Sequence, residues 1–130
     1  MRRLFMSFAA ILCLAFPAAE AQQSPIIGTW STGFNTGDGR PFAAVLVSFD
    51  ANGRCQERIT VGQGMVTNWC QYRLSADATS LQTLFYDYSP KTITPSRPLN
   101  QWMAAQLQWQ GRDLFFVTEP TGPLRYVRQR

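Results

Sequence analysis

The chain has 130 residues, with twelve Lys and Arg, eight Asp and Glu, no histidine and a formal net charge of +4. This length suits a single domain, and the basic residues are scattered rather than gathered into the stripe that nucleic-acid binding requires. The composition therefore argues against a nucleic-acid partner. The absence of histidine also removes the commonest general base and the commonest neutral metal ligand.

The first 21 residues have the three parts of a secretory signal peptide. Arg2 and Arg3 form a basic segment, residues 4–16 form an apolar core, and Ala19-Glu20-Ala21 is a small-x-small cleavage pattern. This apolar core is too short to span a bilayer stably, so we favour a cleaved signal helix over an N-terminal membrane anchor. Cleavage would leave residues 22–130 as one secreted or periplasmic domain with no stable membrane span and a net charge of about +3.

Alternating apolar and polar residues, separated by turn-forming residues, predict eight short strands. In chain order they cover residues 26–34, 42–50, 54–61, 65–74, 80–88, 99–110, 114–118 and 124–129. The sixth segment also has helical propensity, but the turn that follows it leads directly into the next strand, so we choose a strand. Residues 89–98 contain three prolines and form the longest loop, which is either a functional loop at a barrel mouth or only a connection.

Cys55 and Cys70 are the two cysteines of the exported domain. In an oxidising compartment an even pair predicts a disulfide rather than a zinc site. The turn between the third and fourth strands supports the same pairing independently. If Gly62-Gln63 forms a two-residue type II′ turn, Cys55 lies directly opposite Cys70, within the distance that a disulfide spans. Closing this loop would contribute about 3 kcal/mol to stability in the chain-entropy model.

The same register places Glu57 opposite Asn68, on the strand face that also carries Tyr72. If this face points inward, a carboxylate lies inside the barrel, where it needs hydrogen bonds or a counter-charge. Glu57, Asn68 and Tyr72 are therefore our candidate ligand-binding residues, with Glu57 as a polar anchor. The alternative is a structural pair whose carboxylate is already satisfied, or a glutamate near the rim that reaches water.

Eight strands at this spacing predict an all-β protein, a small antiparallel up-and-down barrel that follows the signal helix. Gly28 and Trp30 make a Gly-x-Trp opening on the first strand, and Tyr126-Val127-Arg128 lies in the last. Together with the meander of hairpins, these residues resemble the small lipocalin-like barrels exported by bacteria. The resemblance implies that Trp30 closes one end of the barrel by packing against Arg128, with Arg125 as the alternative. A binding site would then lie at the other end, nearer the proline-rich loop.

We therefore expect an exported barrel that binds a small apolar ligand or a lipid in the cell envelope. The alternative is a protein-interaction module, such as an inhibitor of a secreted hydrolase or an envelope assembly factor. Small barrel inhibitors of secreted proteases resemble this chain in their Gly-x-Trp opening, and Trp69 lies on the face opposite Cys70. We expect no enzyme, cofactor or metal site, because no nucleophile motif is present and only Glu57 with Asp87 suggests a carboxylate pair.

Overall fold

The computed structural model describes residues 24–35, 41–119 and 122–130, so the predicted signal peptide lies outside the described residues. Eight antiparallel strands pair in chain order and the last pairs with the first, which closes the sheet into a barrel. The strands are β1 (Gly28–Asn35), β2 (Pro41–Phe49), β3 (Arg54–Val61), β4 (Gly64–Leu74), β5 (Ser80–Ser89), β6 (Trp102–Trp109), β7 (Leu114–Glu119) and β8 (Gly122–Arg128). The predicted all-β up-and-down barrel is confirmed, and the ambiguous sixth segment is a strand. None of the described residues forms a helix long and apolar enough to cross a membrane.

The β3–β4 hairpin has the predicted register. Cys55 pairs with Cys70 and Glu57 pairs with Asn68. Gly62 has a φ of +59°, as the first position of a type II′ turn requires. The disulfide between Cys55 and Cys70 is present, with the two Cα atoms 4.8 Å apart. All four paired side chains are buried, so this face of the hairpin points into the barrel.

A β-bulge in β5 changes the alternation of the aromatic residues of that strand. Trp69 of β4 pairs with Asp87, whereas the next residue, Cys70, pairs with Phe85, so that Tyr86 is the extra residue. Phe85 is buried in the core, while Tyr86 is 42% exposed. A bulge redirects a side chain relative to simple alternation. Here Tyr86 follows the buried Phe85 and lies on the outer surface, in the same groove as Trp69, and the extra residue brings Tyr88 opposite Asn68.

Two ends of the barrel can be distinguished. The first, called the Trp30 end, contains the start of β1 and the turns at 50–53, 75–79 and 110–113. The second, called the mouth, contains the turn at 62–63 and the loop at 90–101 between β5 and β6. At the Trp30 end, Trp109 and Phe115 meet Trp30 edge-on, with ring centroids 5.7 and 4.7 Å away. The indole nitrogen of Trp30 donates to the carbonyl of Ile26 at 2.8 Å, and both residues are fully buried.

Arg128 of β8 covers the outer side of Trp30. Its guanidinium carbon lies 4.3 Å from the centre of the indole ring, within cation–π range. The guanidinium also donates to the carbonyls of Ile27 and Pro25, at 2.7 Å each, and to the carboxylate of Asp113 at 3.0 Å. The contact implied by the lipocalin-like resemblance is therefore made by Arg128 and not by Arg125. It closes the Trp30 end with packed rings, a stacked cation and hydrogen bonds.

Candidate ligand cavity

A cavity of about 230 Å³ lies inside the barrel, between Phe115, which packs on Trp30, and Arg97 of the β5–β6 loop. Its walls are largely apolar and come from seven of the strands, β2 to β8. The apolar wall residues are Val47, Phe49, Cys55, Cys70, Leu81, Phe85, Met103, Ala105, Val117 and Tyr126, and Thr83 adds a hydroxyl. A cavity lined by such residues disfavours charged groups that have no partner, and it favours an apolar occupant.

One polar cluster interrupts the apolar lining, and Glu57 is its centre. The Glu57 side chain is only 3% exposed and forms a two-point ion pair with Arg97. Nη2 of Arg97 donates to Oε2 at 2.8 Å, and Nε donates to Oε1 at 3.2 Å. Oε1 also accepts a hydrogen bond from Nδ2 of Asn68 at 3.0 Å. The carboxylate is therefore held by a cation and an amide, as a buried carboxylate requires.

The β5–β6 loop supplies hydrogen-bond and ion-pair partners of Asn68 and Glu57 that were not predicted from the sequence. Nδ2 of Asn68 donates to Oγ of Ser96 at 3.0 Å, next to the ion pair made by Arg97. The end of the loop is fixed on β5, because the backbone N–H of Asn100 donates to the carbonyl of Phe85 at 2.7 Å. Its start is fixed by Lys91, whose ammonium donates to the carbonyl of Tyr88 at 2.7 Å. The proline-rich segment thus reaches into the mouth rather than merely connecting two strands.

Tyr72 lies apart from Glu57 and Asn68, although the sequence grouped the three. Its ring meets Phe49 edge-on with centroids 5.0 Å apart, and its hydroxyl donates to the carbonyl of Asp50 in the β2–β3 turn. Burial, followed by the negative charge of Asp50, raises the pKa of the Tyr72 hydroxyl. Residues on one strand face can lie at opposite ends of a barrel, and Tyr72 belongs to the Trp30 end. It is not among the residues that line the cavity.

Thr32 contributes a second polar atom to the barrel interior. It lies on the inner side of β1, opposite Val45, and is 9% exposed. Its Oγ1 is buried and has no hydrogen-bond partner in the part of the chain that the structure describes. An unpaired buried hydroxyl is costly, although Thr32 is not among the residues that line the cavity.

The carboxylate pair considered for catalysis is not formed. Glu57 faces the interior, whereas Asp87 is half-exposed on the outside, where the ammonium of Lys91 bonds to it. The hydrogen bond from Lys91, followed by the backbone N–H of Tyr88, lowers the pKa of Asp87. Among the described residues, no cluster of three His, Cys, Asp or Glu side chains could hold a metal ion.

A second concave region lies on the outer surface. It is a groove of about 450 Å³ that crosses β1 to β5, and it is lined by Trp69, Tyr86, Gln56, Ser48 and Thr29 among others. Its aromatic rings and polar side chains resemble the composition of protein interfaces, where Trp and Tyr are enriched.

The fold of this chain is similar to that of a lipocalin-like protein from Bacteroides uniformis. The two structures superpose with a TM-score of 0.52 at 13% sequence identity, over 82% of this chain and the whole of the other. At this identity the likeness shows a shared fold, a lipocalin-like closed barrel of eight strands. No protein-family model and no curated protein matches the sequence.

Proposed function

We propose that this lipocalin-like barrel binds a small, mainly apolar molecule in its interior. The observation that carries the proposal is the cavity of about 230 Å³ inside the barrel, whose walls are mainly apolar and which contains one charged pair, Glu57 with Arg97. An apolar cavity of about 150 Å³ admits benzene, and typical ligand sites begin at about 300 Å³. The occupant is therefore a compact molecule or a short chain end rather than a complete lipid.

The proposal is tested by filling the cavity. Ala105 lies on the inner face of β6 and lines the cavity, so Ala105→Leu should occupy part of its volume. We expect native mass spectrometry to detect a co-purifying small molecule on the wild-type protein and to lose it with this variant. Ala44→Leu is the matched control, because Ala44 is exposed on β2. Equal occupancy in both variants would place the ligand elsewhere, and no bound molecule in any form would remove the proposal.

A second candidate function is protein interaction through the outer groove. Trp69 and Tyr86 supply adjacent aromatic side chains there, beside amide and hydroxyl groups. If this groove binds a partner, such as a secreted hydrolase, Trp69→Ala should abolish cross-linking to it in envelope extracts. Trp102→Ala is the control, because Trp102 is an exposed tryptophan on β6, outside the groove. Loss of cross-linking with both variants, or with neither, would count against this groove.

We further propose that the protein acts by binding and not by catalysis. Glu57 is engaged by Arg97 and Asn68, and Asp87 lies on the other side of the barrel wall, so these two carboxylates cannot act together on one substrate. If the protein were a carboxylate-dependent hydrolase, Glu57→Gln would abolish a turnover measured with the wild-type protein. We expect no such turnover in a panel of ester and glycoside substrates.

We propose an extracytoplasmic location, in the periplasm or outside the cell. The Cys55–Cys70 disulfide is consistent with an oxidising compartment. The molecular mass of the protein recovered from the cell envelope and from the medium, measured by mass spectrometry, tests this location directly. Loss of residues 1–21 is expected, and a full-length cytoplasmic protein with reduced cysteines would contradict the proposal.

A further inference from the structure

We propose that the ligand of this cavity is uncharged, with an apolar body and one hydroxyl or amide group that donates a hydrogen bond to Glu57. This inference rests on the proposed binding function and specifies the chemical class of the ligand. It follows from the charge and hydrogen-bond balance of the polar cluster at the mouth.

Among the described residues that line the cavity, the two charged side chains pair with each other. Glu57 carries the negative charge and Arg97 the positive one, and their two-point contact pairs both charges. The other described wall residues are uncharged, so a charged ligand would bring a third charge that none of them compensates. To find a partner it would have to separate the existing pair, which leaves one of the two original charges unpaired.

The cost of separating the pair differs for anions and cations. A carboxylate ligand would take Arg97 and leave Glu57 unpaired, and the Glu57 side chain is only 3% exposed. An ammonium ligand would take Glu57 and displace Arg97, whose side chain is 32% exposed and can remain in contact with water. A buried unpaired charge costs more than one that reaches solvent. The expected order of affinity is therefore a neutral ligand first, an amine second and a carboxylate last.

Glu57 still has room for one neutral donor. A carboxylate offers about four acceptor sites. Among the described residues, Oε1 accepts from Asn68 and Arg97, whereas Oε2 accepts from Arg97 alone. A hydroxyl or amide N–H of a ligand can donate to Oε2 without disturbing the ion pair, while its apolar part contacts the walls. An ether or ketone lacks this donor and should bind less tightly than an alcohol of the same size.

The test is an NMR titration of the wild-type protein at pH 7 with 1-heptanol, heptylamine and hexanoate, which have equal numbers of non-hydrogen atoms. We expect 1-heptanol to bind about tenfold or more tightly than hexanoate, with heptylamine between them. Shifts should be concentrated at residues that line the cavity, such as Ala105 and Val117. Hexanoate binding as tightly as the alcohol, or more tightly, would overturn the inference and leave the binding function standing. Failure of all three to bind would instead remove the binding function itself.

The variant Glu57→Gln should reverse the preference for 1-heptanol over hexanoate. This variant keeps an amide beside Asn68 but removes the carboxylate that Arg97 contacts in the cavity, so that an anionic ligand can take its place. We expect hexanoate affinity to rise about tenfold and to exceed that of 1-heptanol. The double variant Glu57→Gln/Arg97→Gln removes both charges and should restore the preference for the alcohol. If folded Glu57→Gln protein kept the preference for 1-heptanol over hexanoate, the proposed role of the Glu57–Arg97 pair would be overturned. If this variant does not fold, the order of the three affinities in the wild-type protein decides.

Discussion

At the scale of single residues, Gly28 makes the contact between Arg128 and Trp30 sterically accessible. Gly28 has a φ of +133°, a backbone conformation that residues with a side chain rarely adopt. A Cβ atom there would lie 2.7 Å from Nη1 of Arg128, well inside van der Waals contact. Glycine is therefore required at this position of the Gly-x-Trp opening, because it leaves space for the guanidinium of Arg128 that covers Trp30.

Gly28→Ala should therefore destabilise the fold by about 1–3 kcal/mol, through backbone strain and displacement of Arg128. Urea unfolding followed by tryptophan fluorescence measures this change. Gly64→Ala is the control, because a Cβ at Gly64 would meet its nearest neighbour at an ordinary 3.5 Å. We expect little loss of stability for the control. A Gly28→Ala protein as stable as the control would show that Arg128 and the backbone adjust without cost.

Asp113 makes the Trp30 end sensitive to acid. Hydrogen bonds from Arg130 and then Arg128 hold the pKa of Asp113 below its ordinary value. A lowered pKa means that the folded state favours the carboxylate. The resulting stabilisation is present at neutral pH and is lost as pH falls below about 4, through the folded-state pKa. We expect the difference in melting temperature between the wild type and Asp113→Asn to shrink over that range. A difference independent of pH would contradict this assignment.

At the scale of structural elements, the register of a hairpin could be predicted from the sequence, whereas the contacts of a long loop could not. The β3–β4 hairpin could be predicted residue by residue, because turn chemistry and strand alternation are local signals that agreed on one register. The position of Arg97 had no such signal, since it meets Glu57 across 40 residues from within a loop. One physical clue existed. A buried carboxylate needs a counter-charge, and Arg97 is in the longest loop, at the end of the barrel where the site was expected.

The ion pair between the loop and the hairpin should appear as energetic coupling. Arg97→Gln leaves Glu57 charged and buried, and it should cost about 1–3 kcal/mol of unfolding free energy. Glu57→Gln should cost less, because Arg97 is partly exposed. The double variant should be more stable than the sum of the single effects predicts, with a coupling of about 1 kcal/mol or more. Additive effects in chemical denaturation would show that the loop is not held by this pair.

At the scale of the whole molecule, the barrel is closed more completely at one end than at the other. In the described parts of β1 and β8, the ladder between them contains only the pairs of Trp30 with Arg128 and Ser31 with Val127. It is extended beyond Arg128 by the N–H of Gln129, which donates to the carbonyl of Thr29 at 2.8 Å. Toward the mouth, residues 32–35 of β1 pair with β2, and no pair with the residues of β8 that the structure describes extends the ladder. The strands that close the barrel are thus joined at the Trp30 end, beside the aromatic core.

This asymmetry predicts a pattern of hydrogen exchange along β1. In an antiparallel strand, alternate residues direct their N–H groups to opposite neighbours. Ser31 and Gly33 face β8, whereas Thr32 faces β2 and pairs with Val45. Since the ladder with β8 ends at Ser31, the amide of Gly33 should exchange much faster than those of Ser31 and Thr32, through local opening rather than global unfolding. Proton exchange followed by NMR resolves these three amides. Equal protection at Gly33 and Ser31 would mean that β1 and β8 stay joined up to the mouth.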